Sequence, residues 1–357
     1  MIETAPAPLS GGPVRGRLPG ALRLLAPFLI ALGAGAVVLW ATGRDAFAVY
    51  GQLADAALGG GTQIADTLAA TTPILFTGIA TALAFRAGAF NVGVEGSLYV
   101  GAFAAAWTGF SFPHLPGAPL LALAALLAAL AGAAWALLPA LARAWLDVSE
   151  VVTTLMLNYV AILLTSYLVN DHFLARGVAN SMSPMIAPQA RLPPLLPGSQ
   201  LSAALLLGLL LLAGYWFLFS RSTLGFELRL VGLAPRLARA SGVDLRRSLV
   251  IAMLASGLVG GWAGGFQVLG VIHRFVDGFS PGYGFTGIAV AILGRNHPLG
   301  ILAGALFFGI LTSGGGMVQL VSSIPIDLVN VVQGTLMVFA VADLGRLGWL
   351  RRWAGRA

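Results

Sequence analysis

The chain has 357 residues, of which 58% are hydrophobic and only 9% are charged. Soluble domains carry about 25% charged residues, so this composition excludes an ordinary soluble protein. Long apolar runs indicate an all-α, polytopic membrane protein, because a membrane β-barrel would show short alternating strands. The net charge is +7 and every basic residue is an arginine. These arginines lie between apolar runs, which indicates a topology signal and not a nucleic-acid-binding face.

Cysteine is absent, which excludes disulfides, thiol catalysis and cysteine-ligated metals. The four histidines are scattered without metal-ligand spacing. We therefore expect no metal site, and no group of residues suggests a catalytic centre.

The apolar runs predict about ten transmembrane helices, the eighth of them short. They lie near 22–42, 63–85, 92–111, 118–142, 150–170, 201–219, 248–271, 281–294, 298–320 and 325–344. Residues 1–20 are predicted to be a disordered tail because they are rich in Pro, Gly and Ala. Ala46-Phe47-Ala48 resembles a signal-peptidase site, but the first apolar run exceeds the 7–15 residues of a signal core, which favours an uncleaved helix.

Arginine placement predicts the orientation. Arg15, Arg17 and Arg23 precede the first apolar run and place the N-terminus in the cytoplasm. An even number of spans then leaves the basic tail at 346–357 in the cytoplasm as well. The long, proline-rich segment 171–200 falls outside, as either a passive linker or a docking surface for an external partner.

The most informative stretch is Phe90-Asn91-Val92-Gly93-Val94-Glu95-Gly96, which interrupts the apolar pattern with glycines, an amide and a carboxylate. Such a stretch is tolerated at membrane depth where it is buried in protein or lines a cavity. Glu95 either pairs with Arg86 or another buried donor to hold the break together, or lines a solute pathway directly.

A second glycine-bearing break follows the span at 248–271 and runs from Asp277 to Gly287. The preceding spans, 63–85 and 248–271, run in opposite directions in the predicted topology. Matching interruptions in two oppositely oriented halves indicate a transporter with a binding site near the bilayer midplane. We therefore predict two inverted-topology halves with interrupted helices.

A polar stripe follows the span at 150–170. Glu150, Thr154 and Asn158 recur every four residues and share one helix face. The stripe is either interhelical hydrogen bonding, which is common in membrane bundles, or part of a pathway. Glycines crowd the span at 248–271 and predict close helix contacts, because a phosphate-binding loop would need the lysine that this chain lacks.

The segment 221–247 is predicted to lie in the cytoplasm. Pro235 and Gly242 suit the start and the end of a short helix, with Leu233 and Leu237 on one face and Arg236 on another. The helix either rests on the membrane surface or inserts into a cytoplasmic partner. The start and stop residues at its two ends favour the second interpretation.

Four segments in order resemble the permease subunits of bacterial ABC importers for nucleosides and simple sugars, within the branched-chain amino acid and ribose permease superfamily. They are Phe85-Arg86-Ala87-Gly88-Ala89-Phe90-Asn91-Val92-Gly93-Val94-Glu95-Gly96, Glu150-Val151-Val152-Thr153-Thr154-Leu155-Met156-Leu157-Asn158-Tyr159, Gly225-Phe226-Glu227-Leu228-Arg229 with Val231-Gly232-Leu233-Ala234-Pro235, and Gly282-Tyr283-Gly284-Phe285-Thr286-Gly287 continuing to Arg295. The resemblance spans most of residues 60–345.

The resemblance implies that 21–345 form the permease domain of a bacterial plasma-membrane importer that works by alternating access. It implies separate ATPase subunits that hold ATP and Mg²⁺, a second permease subunit that forms a heterodimer, and an extracytoplasmic binding lipoprotein. The predicted pathway residues are Phe90, Asn91, Glu95, Thr154, Asn158, Tyr283 and Phe285. The predicted ATPase-coupling residues are Glu227, Arg229, Gly232, Pro235 and Arg236.

Three alternatives remain open. The solute could be a branched-chain amino acid or a monosaccharide, carried by the same fold. An ion-coupled secondary transporter would need internal acids as ion sites and would leave the punctuated cytoplasmic segment unexplained. A membrane enzyme lacks a catalytic constellation.

Overall fold

A computed structural model describes residues 35–177 and 180–322, with isolated residues at 29, 32, 33, 331 and 334. The helices within this part of the chain are α1 (Ala46–Leu58), α2 (Gly61–Arg86), α3 (Val94–Ser111), α4 (Gly117–Leu146), α5 (Glu150–Tyr167), α6 (Ala204–Arg221), α7 (Thr223–Leu233), α8 (Pro235–Ala240), α9 (Leu245–Gln267), α10 (Tyr283–Leu293) and α11 (Pro298–Ser322). Two π-helical turns, Leu168–His172 and Val268–Ile272, extend α5 and α9.

The all-helical, multi-pass architecture is confirmed. Pairing of the β type in the described residues is limited to two isolated bridges. Within 35–177 and 180–322, six helices are long and apolar enough to cross a membrane: Gly61–Arg86, Gly117–Leu146, Glu150–His172, Ala204–Arg221, Leu245–Ile272 and Pro298–Met317.

The predicted spans 92–111 and 281–294 appear as α3 and α10, which are not among those six. The 11 residues of α10 extend only about 16 Å along the helix axis, whereas the hydrocarbon core is about 30 Å thick. The span at 325–344, most of 22–42 and the tails 1–20 and 346–357 lie outside the described residues. The number of ten spans therefore stays a prediction.

Two helices were not expected from the sequence. Residues 46–58 form α1, where Asp45 caps the first turn by accepting a hydrogen bond from the Phe47 N–H at 2.9 Å. One apolar face of α1 is buried, and it approaches α11 where Gly314 meets the Leu53 carbonyl. The second helix, α7, is capped by the Ser222 hydroxyl. Both are too short to give a span-like signal in the hydropathy pattern.

Helix α9 lies at the centre of the bundle and packs against α2, α3 and α4. A Cβ added at Gly261 would overlap the Ala128 carbonyl, and one at Gly264 would overlap the Leu98 carbonyl. Small residues let membrane helices approach until their backbones touch. The prediction that the α9 glycines serve close helix contacts is confirmed.

The segment between α5 and α6 is packed against the bundle. The Ser183 N–H donates to the Phe275 carbonyl and the Ile186 N–H donates to the His273 carbonyl, both at 2.9 Å. The Leu192 N–H donates to the Leu269 carbonyl at the same distance. The segment thus covers the π-helical turn and the second break, so it is more than a passive linker. Docking of an external partner on it stays a prediction.

Candidate functional site

Two interruptions divide the bundle; the first lies where the glycine pattern predicted it, whereas the second begins four residues earlier than predicted and ends before Tyr283, because 283–287 are helical. The first is the non-helical segment 87–93, which separates α2 from α3. The second is the segment 273–282, which separates the π-helical turn of α9 from α10. We call these two segments, each together with the first turn of the helix that follows it, the first break and the second break (residues 87–97 and 273–286).

The two breaks meet at Glu95, in the first turn of α3. This side chain is only 2% exposed, and its Oε2 accepts a hydrogen bond from the Gly284 N–H in the first turn of α10. The side chain of Ser280 is a further partner. The carboxylate thus lies between two helix N-termini, where free N–H groups and helix dipoles favour a negative charge.

The start of α10, next to the Glu95 contact, packs against α2. The Thr77 hydroxyl, well inside α2, donates to the Tyr283 carbonyl at 2.9 Å. Arg86, a candidate partner of Glu95, donates instead to the Asn296 carbonyl at 2.7 Å. The sequence predicted that Arg86 or another buried donor would pair with Glu95. In the structure the donor is the Gly284 N–H of the second break, and not Arg86.

Asn158 and Thr154 fasten the first break to α5. Asn158 Oδ1 accepts from the Gly96 N–H at 2.8 Å and Asn158 Nδ2 donates to the Val92 carbonyl at 3.0 Å. The Val92 N–H donates to Thr154 Oγ1 at 3.3 Å. Asn158 is 1% exposed and Thr154 is fully buried. The polar stripe of α5 thus replaces the backbone partners that the interrupted helix lacks.

Asn91 links the first break to the central helix α9. Its Oδ1 accepts from the Gly93 N–H at 2.8 Å, and its Nδ2 donates to the Ser256 hydroxyl of α9 at 2.9 Å. Asn91 is fully buried. Its amide therefore has one partner within the first break and one on the central helix.

A polar cavity of about 300 Å³ lies beside the second break. Its described lining consists of Ala56, Gln63, Asp66, Ala69, Ala70, Gln200, Gln267, Val271, Tyr283, Thr312, Ser313, Gly316 and Met317. Amide, hydroxyl and carboxylate groups from α2, α9, α11 and the 173–203 segment converge there. A concave site with a few converging polar groups is the usual form of a small-molecule site.

Of the predicted pathway residues, the structure brings only Tyr283 to this cavity. Phe285 is 36% exposed, and Phe90 is 40% exposed and stacks on Phe85 with ring centroids 4.6 Å apart. Sequence reasoning missed Gln63 and Asp66, although their i, i+3 spacing on an apolar span was a usable signal. Gln200 gave no such signal, because it reaches the cavity from a long connecting segment.

Helix α7 contacts the first break directly. A Cβ on Gly232 would lie 2.8 Å from the Gly88 N. Gly88 itself has φ +77, and a Cβ there would lie 3.0 Å from the Gly232 Cα. Only glycine satisfies both the left-handed backbone and this approach. The end of α7 and the first break are therefore in backbone contact, with no side chain between them.

The outer surface of α7 and α8 is exposed. Leu233 is 78% exposed and Leu237 is 57% exposed, and Pro235 and Arg236 are also exposed. Glu227 is half-buried on α7, so this part of the chain presents apolar and charged groups side by side. The predicted short helix from Pro235 is confirmed.

His273 marks the start of the second break. It adopts φ 59, and its Nδ1 is buried without a hydrogen-bond partner in the described structure. Burial, with a contribution from nearby Arg191, lowers the pKa of His273 below its usual value. This imidazole is therefore neutral near pH 7.

Comparison with known families agrees with this architecture. The family model described as "Branched-chain amino acid transport system / permease component" matches residues 63–341. The match covers α2 to α11, and with them both breaks and α7–α8. The chain belongs to this family of membrane permeases.

Curated relatives match over most of their length. The guanosine ABC transporter permease protein NupP of Bacillus subtilis is 34% identical over 337 residues, which are 92% of this chain and 94% of that protein. The glucose ABC transporter permease protein TsgB13 of Haloferax volcanii is 34% identical over 326 residues, or 88% and 85%. The nucleoside ABC transporter permease protein NupB of Lactococcus lactis is 31% identical over 315 residues, or 85% and 86%.

Proposed function

We propose that this chain is one of two permease subunits of an ATP-driven importer and that its solute is a nucleoside or a related simple sugar. The observation that carries the proposal is the contact of the two breaks at Glu95 beside a polar cavity. Relatives named as guanosine, nucleoside and glucose permeases support the same class of solute.

The lining of the cavity favours a hydroxylated solute that carries no negative charge, because Asp66 lies in the lining without a cationic neighbour there. Gln63, Gln267 and Gln200 each offer both donors and acceptors, and Thr312 and Ser313 add hydroxyl groups. No arginine or histidine is among its described lining residues. The carboxylate of a branched-chain amino acid would lack a cationic partner there, which makes the amino acid alternative less favourable.

The contact between Gly232 and Gly88 supports alternating access driven from the α7–α8 end. An ATPase that moves α7 pushes on the first break through backbone atoms. The first break meets the second break at Glu95, and the second break supplies Tyr283 to the cavity. Movement of α7 would thereby change access to the polar cavity.

The remaining features of the proposal follow from the resemblance and the arginine pattern. ATP and Mg²⁺ are held by separate ATPase subunits that dock on α7–α8, and this chain hydrolyses nothing. A second permease subunit and an extracytoplasmic binding lipoprotein complete the importer. The chain lies in a bacterial plasma membrane with both termini in the cytoplasm, with about ten spans in two inverted halves.

The test is ATP-driven uptake into proteoliposomes that contain the chain with its partner subunits. The panel comprises labelled guanosine, glucose and leucine, each with ATP inside or outside the vesicle. We expect ATP-dependent uptake of the nucleoside or the sugar that is blocked by unlabelled solute of the same class. Uptake of leucine alone would contradict the solute class. Uptake driven by an ion gradient without ATP would indicate the secondary-transporter alternative.

A further inference from the structure

A second cavity lies at the arginine-rich end of the bundle, away from the polar cavity. Its volume is about 190 Å³, and it is enclosed by the end of α2, the end of α6, α7 and the start of α11. Its described lining is Arg86, Tyr215, Trp216, Phe219, Ser220, Arg229, His297 and Pro298. We call it the basic pocket.

The basic pocket concentrates positive charge without an acidic partner. Neither Arg86 nor Arg229 forms an ion pair in the described part of the chain, where both ion pairs belong to Arg143. No Asp or Glu is among the described residues that line the pocket. Two guanidinium groups around one cavity repel each other, and an anion between them would relieve that repulsion.

The neighbours of the two guanidinium groups fix them in place without neutralising them. Arg86 donates to the Asn296 carbonyl at 2.7 Å and lies 5.0 Å from the centroid of the Phe219 ring. Arg229 donates to the Phe219 carbonyl. Arg229 Nε is buried and has no hydrogen-bond partner in the described structure. A buried N–H of a charged group without an acceptor is costly, so the pocket offers an unused donor to an anion.

The start of α11 adds to the same preference. Pro298 is its first residue, and the exposed His297 precedes it. The unpaired N–H groups and the helix dipole of this 25-residue helix favour a phosphate-like anion at that end. The side chains of Arg86 on α2 and Arg229 on α7 and the first turn of α11 therefore all favour a negatively charged ligand.

The surroundings of the pocket indicate where the anion comes from. Trp216 lines the pocket and is 50% exposed, and Leu209, seven residues earlier on the same face of α6, is 38% exposed. Leu299, next to the pocket on α11, is 67% exposed. A polar pocket beside exposed leucines and a tryptophan is the environment of a lipid headgroup at a membrane interface.

We propose that the basic pocket binds the phosphate headgroup of an anionic phospholipid, with the acyl chains lying along the Leu209–Trp216 face of α6. Basic pockets between membrane helices recognise anionic headgroups in this way. The inference goes beyond the proposed function, because it assigns a lipid site outside the solute pathway. It holds whichever solute the cavity takes.

The experiment is native mass spectrometry of the full chain in its complex, delipidated and then titrated with phosphatidylglycerol or with phosphatidylcholine. We expect phosphatidylglycerol to remain bound at collision energies that remove phosphatidylcholine. The Arg229→Gln variant should lose about tenfold in phosphatidylglycerol affinity, the size of one charge-assisted contact. The control Arg246→Gln removes the same charge from the same end of the bundle outside the pocket, and it should bind like the wild type.

A second pair of variants keeps the test decisive if Arg229→Gln does not fold. Ser220 is exposed at the rim, so Ser220→Glu places a carboxylate where the phosphate would lie, and Ser220→Gln has the same size without the charge. We expect only the glutamate variant to lose phosphatidylglycerol. Equal losses in both Ser220 variants, or in Arg246→Gln, would overturn the site. Inorganic phosphate displacing the lipid at millimolar concentration would show that the pocket takes a free anion instead.

Discussion

The two breaks look alike in the sequence, but they are held in different ways. The first break is held by the helices around it, since Thr154 and Asn158 of α5 bond to its backbone and its own Asn91 bonds to α9. The second break is held mainly by the segment between α5 and α6, which pairs with the backbone of His273, Phe275 and Asp277. The side chains of Ser166 on α5 and Glu95 on α3 add two further bonds. Only the second break reaches the polar cavity, through Tyr283.

The two breaks therefore differ in which elements hold them in place and in whether they reach the polar cavity. A break fastened to helices of the bundle can move with those helices as a rigid piece. A break fastened to a connecting segment can rearrange when that segment moves. We therefore expect the first break to transmit movement from α7, and the second break to form the wall of the cavity that responds to it.

The largest expected effect comes from removing the group shared by both breaks. Glu95→Leu leaves the Gly284 N–H without an acceptor, which costs about 1–3 kcal/mol, and removes the side chain that joins the two helix N-termini. We expect a lower melting temperature in detergent and loss of ATP-driven uptake. Glu95→Gln keeps the size and an acceptor oxygen, so it should retain most of the stability. A Leu variant that melts with the wild type would contradict the structural role.

The next effect tests the link between the first break and α7. Gly232→Ala places a methyl group against the Arg86 carbonyl and the Gly88 N, and overpacking of this kind costs about 1–3 kcal/mol. We expect ATP hydrolysis to persist while uptake falls about tenfold, measured on the same proteoliposomes. Gly214→Ala is the control, since nothing lies within 4 Å of a Cβ at that position. Equal coupling in both variants would refute the link.

A smaller effect tests the side-chain support of the first break. Asn158→Leu removes the partners of the Gly96 N–H and the Val92 carbonyl, with an expected cost of about 1–2 kcal/mol in a membrane bundle. Thr165→Val on the same helix is the matched control, because its hydroxyl bonds only within its own helix. Thermal unfolding distinguishes them. If the Asn158 variant instead alters solute affinity at unchanged stability, the residue lines the pathway.

The smallest effect is expected at the cavity wall. Gln267→Leu removes one amide from the lining while preserving volume, so we expect the solute concentration for half-maximal uptake to rise about fivefold, the size of one hydrogen bond. Stability should not change. Gln52→Leu, at an exposed position of α1, is the control. An unchanged half-maximal concentration in the Gln267 variant would remove this wall from the solute pathway.

Much of this architecture follows from local patterns. Apolar runs of sufficient length and the paired glycine interruptions are legible in the sequence, because lipid demands continuous helices except where protein covers the backbone. Helices α1 and α7 were missed because each is short and apolar on one face only. The length of the interruption before α10 was also not evident.

The partners of the polar residues could not be read from the sequence. Asn158 reaches Gly96 across 62 positions and Glu95 reaches Gly284 across 189, and no local spacing encodes such contacts. The cavity was missed for the same reason, because Gln63, Gln267 and Thr312 lie far apart in the chain. Periodicity identifies which side chains avoid lipid but not which backbone they meet.

The hydrogen bonds between the 173–203 segment and the second break have a mechanical consequence. The N–H groups of Ser183 and Ile186 donate to the carbonyl groups of Phe275 and His273. Moving the 173–203 segment away would therefore leave these carbonyl groups of the second break without their donors. We therefore expect a protein that binds this segment to act on the second break, and through it on Tyr283 at the cavity, without a step through α9.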